Sequence, residues 1–394
     1  MRASDYTAVS PGSLASVTDA LGRPGFAFVP NRIGTANLDL ASRELRIALS
    51  AADRELARLD GTVALLDHPE QLFRGYLKRE AVLSSAIEGT HSTLADLVLF
   101  EASAHARSND DIEVSRYVDA LDYGRLRIAE LPLGRTLFRE LHETLMRGGD
   151  ESATPGNFRD CLVFVGQASF EGARFVPPPP IFVDELLADL EQYLADDPEV
   201  PLIKLALAHY QFEAIHPFRD GNGRLGRLMI SLWLEREEIL LSPMLYLSAY
   251  FERNKQEYYD RLLRVSTEGD WNGWVLYFLN AVATQAHDAM RRTKQLAALR
   301  TSYRVRLAGP RAPAGLQRLV DTLFATPAIS VPIAVDLLNI TYAAAKAQVM
   351  QLVARGILKP EPVVLSGTAY YVADEIIQMT SQPLNVENAP IFSV

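Results

Sequence analysis

The stretch His216-Pro-Phe-Arg-Asp-Gly-Asn-Gly-Arg-Leu-Gly-Arg227 decides how this chain is read. It brings an imidazole, an acid, an amide, three glycines and three arginines into twelve residues, a mixture no hydrophobic core requires. Before it, Leu202, Leu205, Ala206, Ala208, His209, Phe212 and Ile215 recur at helical spacing. After it, Leu225 to Leu234 is again apolar and of helical length. Pro217 to Gly223 is therefore expected to be a loop between two helices, with the second starting near Asn222 or Gly223. A helix N-terminus offers unpaired N–H groups and partial positive charge to an anion. Glycines let the backbone approach phosphate oxygens, and arginines supply charge that does not titrate away. Asp220 is a hard oxygen ligand suited to Mg²⁺.

The same residues contain Gly221-Asn-Gly-Arg-Leu-Gly226, which fits the dinucleotide pattern G-x-G-x-x-G. That fingerprint needs a strand before it and an acid closing a second strand about 20 residues on. Here a helix precedes and Leu-Glu-Arg-Glu-Glu follows, so the dinucleotide reading is rejected. There is no G-x-x-x-x-G-K-[ST] and no H-E-x-x-H, which removes P-loop and zincin chemistry. His209 then reads as a packed histidine, and His91 and His142 receive no role.

The motif resembles the signature of the Fic family at His216, Phe218, Asp220, Gly221, Asn222, Gly223, Arg224 and Arg227. The likeness covers roughly residues 35–290. It implies a mainly α fold: a Fic-type helical core with a β-hairpin flap. It implies an enzyme that transfers AMP from ATP to a Ser, Thr or Tyr hydroxyl of a target protein or of itself, releasing pyrophosphate. His216 is then the catalytic base and Asp220 the Mg²⁺ ligand. Gly221, Asn222, Gly223, Arg224, Leu225, Gly226 and Arg227 surround ATP, with Asn222 on the α-phosphate and the arginines on the β- and γ-phosphates. Tyr258 touches the nucleotide, and Phe218 packs beneath the loop. Ser84-Ser-Ala-Ile-Glu88-Gly89 resembles the family's inhibitory motif, which implies that Ser84, Glu88 and Gly89 keep Arg227 from the γ-phosphate. The segment 162–180, ending Arg174-Phe-Val-Pro-Pro-Pro-Pro180, resembles the flap that clamps the target by strand pairing. Two other readings stay open: removal of AMP at the same site, and a DNA-binding regulator that uses this domain as a nucleotide sensor.

The rest of the chain sets bounds. Its 394 residues allow two or three domains, and a net charge of −10 does not suit a general nucleic-acid binder. One cysteine, no apolar leader and no apolar run long enough to span a bilayer fit a cytoplasmic protein, away from membranes. Residues 1–35, rich in Gly, Pro and Ser, read as an extended lead-in. Helices are expected over 37–66, 71–87, 114–128, 135–146, 183–194, 255–265 and 271–299, with Thr93 capping one more. The hairpin is expected within 161–176. The domains expected are an N-terminal helical region over 1–110, a Fic core over 111–299 and a winged-helix-like unit over 310–385. Gly309 to Gly315 is a linker, so the last unit is expected to be dispensable for chemistry. Residues 300–360 carry eight basic side chains against two acidic ones, yet Tyr342-Ala-Ala-Ala-Lys-Ala-Gln-Val-Met-Gln351 is too bare for base readout. Protein interaction or a homodimer is favoured there over nucleic acid.

Overall fold

The structure is a computed structural model that describes residues 2–382, apart from 67, 68, 107, 168, 197, 241, 242, 309–313, 363 and 366. Most of the expected linker lies outside the described residues. The chain begins with a hairpin rather than an extended lead-in. β1 (Gly12–Thr18) pairs antiparallel with β2 (Pro24–Pro30), Gly12 opposite Pro30 and Thr18 opposite Pro24. The Asp19 carboxylate accepts the N–H groups of Leu21 and Arg23, so the turn is held by its own residues. Both prolines stand at strand ends, where the ladder loses little.

The helical body follows. α1 (Arg43–Val63) starts after a Ser42 cap and runs unbroken through Gly61, with Leu45, Leu56 and Leu59 buried. It lies along α11 (Trp271–Leu307), the longest helix of the described residues. α2 (Glu70–Ile87), α4 (Asn109–Arg127) and α5 (Arg135–Met146) form near the expected positions. α3 (Leu94–Ser103) opens on a Thr93 capping box completed by Asp96. The 161–176 hairpin is real but short. Only β3 (Val165–Gly166) and β4 (Ala173–Phe175) pair, and Leu162-Val-Phe stays outside the ladder. α6 (Val183–Asp196), α7 (Pro201–Ile215) and α8 (Asn222–Arg236) follow, the last beginning where the glycines predicted. α9 (Ser248–Arg253) was not expected; α10 (Lys255–Glu268) was. No helix of the described residues is long and apolar enough to cross a membrane.

After the linker come α12 (Ala314–Leu323), β5 (Ala328–Ser330), α13 (Val331–Leu338), α14 (Tyr342–Ala354), β6 (Lys359–Pro360), β7 (Tyr370–Val372) and α15 (Asp374–Ser381). The three strands form one antiparallel sheet in the order β5-β7-β6. This unit does not hang free. Ala328, Tyr370 and Ile377 bury the apolar face of α3 at Leu94, Val98 and Leu99. Lys78 of α2 donates to the Ala325 carbonyl (3.0 Å), and Arg292 of α11 donates to the Met379 carbonyl (2.8 Å). This packing bears on stability and not on the expectation that the unit is dispensable for chemistry. A chain ending at Ala308 should melt well below the full chain. It exposes three α3 side chains, at about 1.5–3 kcal/mol each for a large apolar residue. An unchanged thermal midpoint would show that this interface contributes nothing.

Candidate active site

The motif loop is fixed by its own side chains. α7 ends at His216, whose φ of 50° lies in the left-handed region, sparsely used by residues with a Cβ. The chain turns sharply there. Asn222 ties the loop: its Oδ1 accepts from the Phe218 N–H (2.8 Å) and its Nδ2 donates to the Phe218 carbonyl (2.9 Å). Asn222 thus braces the loop, and its Nδ2 keeps a second hydrogen beyond the one given to Phe218. The backbone N–H groups of Asn222, Gly223 and Arg224 precede the first helical bond, Leu225 N to Gly221 O, and so have no intrahelical acceptor.

Beneath the loop, Phe218 is fully buried and stacked on His142 with ring centroids 3.8 Å apart. His142 Nδ1 accepts the Gly156 N–H (2.9 Å). Its Nε2 therefore carries the proton and donates to the Asp220 carbonyl (3.0 Å). Burial takes its pKa down to about 4, which keeps the ring neutral for this task. His142, given no role from sequence, is a positioning residue.

Arg159 was also missed. It is buried and donates to the carbonyls of His216 (2.8 Å), Cys161 (3.0 Å) and Ile215 (3.2 Å), joining the base of the flap to the motif. Burial, and then the Arg159 charge, lowers the His216 pKa to about 4. The imidazole is thus neutral at physiological pH and able to accept a proton.

The second arginine of the motif is held by the end of α2. Arg227 is buried, with Nε donating to the Ser84 hydroxyl (2.9 Å) and Nη2 to the Ser84 carbonyl (2.9 Å) and Glu88 Oε1 (2.7 Å). Burial opposes both charges, but the pair wins. Arg227 is raised chiefly by Glu88, and Glu88 is lowered chiefly by Arg227. A Cβ at Gly223 would stand 2.3 Å from Glu88 Oε1, so only a glycine there admits this carboxylate. Gly89, at φ +102°, lets the chain leave α2 directly after Glu88. Arg224 is occupied too. It pairs with Glu113 of α4, and Asp220 lies 3.6 Å away.

These elements enclose a cavity of about 420 Å³, lined among others by Glu88, His216, Gly223, Arg227, Tyr258 and Phe175. Its size suits a nucleotide. Tyr258 is buried in this wall with its hydroxyl on His209 Nε2 (2.8 Å), and His209 is a packed histidine as expected. Leu225 does not line the cavity; it faces the core. Gly226 meets Glu213 and gives its carbonyl to the His209 ring (3.2 Å), so neither residue is placed to hold a ligand by its side chain. Asp220 is exposed at the loop rim.

Residues 132–234 match the family model described as Fic/DOC family, and residues 47–125 match the Fic/DOC family N-terminal model. Over these two stretches the chain carries Fic/DOC family domains. Among curated relatives, the protein adenylyltransferase fic-1 of Caenorhabditis briggsae is 33% identical over 141 residues, 35% of this chain and 25% of that protein. A probable protein adenylyltransferase of Aquifex aeolicus (strain VF5) is 33% identical over 132 residues, 33% of this chain and 35% of that protein. The matched part thus spans only a quarter to about a third of these relatives. Two solved structures carry the fold. A Fic family protein from Desulfovibrio desulfuricans G20 has a TM-score of 0.54 at 22% identity, covering 84% of this chain and 96% of that one. A Fic domain containing signaling protein from Bacteroides thetaiotaomicron VPI-5482 gives 0.52 at 22%, covering 63% and 97%. Both Fic models fall on the residues that build the cavity: α2 with Glu88 in one, α7, the loop and α8 in the other.

Proposed function

We propose that this protein is an ATP-dependent protein adenylyltransferase that transfers AMP to a side-chain hydroxyl of a target protein or of itself and is held off by Glu88. One observation carries the reading: a neutral, half-buried His216 at the C-terminal end of α7 lines a nucleotide-sized cavity together with Gly223 and Arg227 of α8. His216 takes the hydroxyl proton, the hydroxyl oxygen bonds the α-phosphorus, and the bond to pyrophosphate breaks. The first-turn N–H groups of α8 face the charge that develops. The adenylyltransferase names of the relatives support the same chemistry.

Mg²⁺ fits as an ion carried in on phosphates. The described residues hold no cluster of three or more candidate ligands, and Asp220 supplies a single exposed carboxylate. Mg²⁺ prefers such a site, keeping waters and phosphate oxygens as its other ligands, and there it would neutralise charge on the leaving group. Asp220→Ala should then lower transfer by the order of ten- to a hundred-fold at millimolar Mg²⁺ and shift the Mg²⁺ requirement upward. Titration of Mg²⁺ against the rate checks it; an unaltered curve removes Asp220 from the metal.

The target segment would lie along the β3–β4 flap, whose Arg174 reaches across to Asp260 of α10. The C-terminal unit has the helix, strand and sheet order of a winged helix, and we assign it to partner selection or a homodimer. Four of its eight basic groups have acidic partners at home. Arg300 and Arg304 meet Asp321, Arg306 meets Glu375 and Lys359 meets Asp374, which counts against nucleic acid. A cytoplasmic setting with ATP at hand suits this activity. Removal of AMP remains the second reading, because the Glu88 carboxylate is one-third exposed and borders the same cavity as His216. The test is incubation of the Glu88→Gly chain with labelled ATP, Mg²⁺ and cell lysate, followed by mass spectrometry for added AMP. Label on neither the chain nor any lysate protein would overturn the transfer reading.

A further inference from the structure

Glu213 is a carboxylic acid in the cavity wall that the chemistry above leaves unused. On α7 it stands three residues before His216 and three after Tyr210, and all three line the cavity. At the helical rise this puts Glu213 ~4.5 Å and Tyr210 ~9 Å along the axis from His216. Near Tyr210 the wall is apolar, with Leu262 and Leu263 of α10, and the Tyr210 hydroxyl is bonded to Ser266 (2.9 Å). Near His216 it is polar, with Glu88, Gly223 and Arg227. The wall thus runs from a phosphate-binding end, past one carboxyl, to an aromatic end. A nucleotide presents phosphate, sugar diol and base in that same order.

One oxygen of this carboxyl, Glu213 Oε1, is buried without a hydrogen-bond partner among the described residues. The His209 Nε2 atom lies 4.0 Å away and is bonded to Tyr258. Arg227 is engaged by Ser84 and Glu88. Burial raises the Glu213 pKa to about 7, with Arg227 pulling it down and Glu88 pushing it up. A buried polar group left unpaired costs stability, so a carboxyl kept in this wall points to a partner that arrives with the ligand.

We infer that Glu213 receives the ribose hydroxyls of the bound nucleotide, so that the site selects ribonucleotides over deoxyribonucleotides. The inference rests on the ATP reading above and adds the determinant of sugar choice. A carboxylate accepting from the 2′- and 3′-hydroxyls makes charge-assisted bonds, and acidic residues hold ribose this way in other nucleotide sites. Anchored there, the sugar places the base against Tyr210 and the α-phosphate beside His216.

The test is equilibrium affinity for ATP, 2′-deoxyATP and 3′-deoxyATP, by calorimetry with Mg²⁺. The proteins are the full chain carrying Glu88→Gly and the same chain with Glu213→Gln or Glu213→Ala added. The parent should bind each deoxynucleotide about ten-fold or more weakly than ATP. Glu213→Ala should bind all three alike, and Glu213→Gln should keep part of the preference through its amide oxygen. Both variants should melt no lower than the parent, because the carboxyl they remove leaves one buried oxygen without a partner in the unliganded fold. A parent that binds ATP without sugar preference, or an alanine variant that retains it, overturns the ribose assignment and leaves the transferase reading standing. A parent that binds none of the three overturns both.

Discussion

Replacing His216 by asparagine is expected to lower AMP transfer by about 10²–10⁴-fold while ATP affinity stays unchanged. On the proposed mechanism the ring acts on the attacking hydroxyl, whereas α8 and its arginines hold the phosphates. Asparagine is the better probe than alanine because position 216 has φ 50°, and asparagine is among the residues enriched in that region. The bond from Arg159 goes to the backbone carbonyl of His216, so the loop keeps its anchor in either variant. Single-turnover rates beside nucleotide affinity check this. Affinity that collapses together with the rate would make His216 a binding residue.

The opposite sign is expected at Glu88. Glu88→Gly should raise self-labelling with ATP by about ten- to a hundred-fold, the value of one charge-assisted bond. In the structure Glu88 Oε1 holds the same guanidinium that a γ-phosphate needs, at 2.7 Å. Removing it frees one Nη2 hydrogen while Ser84 still holds Nε and the other Nη2 hydrogen. The gain should come with a lower melting temperature, because Arg227 stays buried with one partner fewer. Adding Arg227→Ala should cancel the gain. Self-labelling no faster than wild type would remove Glu88 as a lock, and slower removal of AMP in the variant would favour the hydrolytic reading.

Both predictions centre on residues legible in the sequence, because the motif is contiguous and its glycines and arginines announce an anion site by type alone. Helices with clean apolar spacing, such as α5 and α7, were equally readable. What escaped depends on contacts between distant segments. Arg159, His142 and Glu113 sit in unremarkable surroundings, and only the folded chain brings them to the motif, 57, 78 and 111 residues away from the groups they hold. Asn222 was recognised, but sequence cannot show that its amide also braces the loop through both backbone groups of Phe218. The N-terminal hairpin hid behind Gly and Pro, which in β1 and β2 mark strand ends and a turn. The C-terminal unit was read from its linker as separable, and a linker says nothing of how much apolar surface the unit covers.

The bare backbone at Gly223 ties two fates together. The space above it holds the Glu88 carboxylate, and on the proposed mechanism an incoming phosphate uses the same space, so any side chain would obstruct both. An unregulated enzyme therefore cannot arise by substitution at this glycine without also losing its nucleotide. Escape from restraint is open from the other partner, through loss of Glu88 or displacement of α2, where catalysis has nothing to lose. Variants selected for runaway activity should cluster on α2 and its supports, and leave the glycines of the loop untouched.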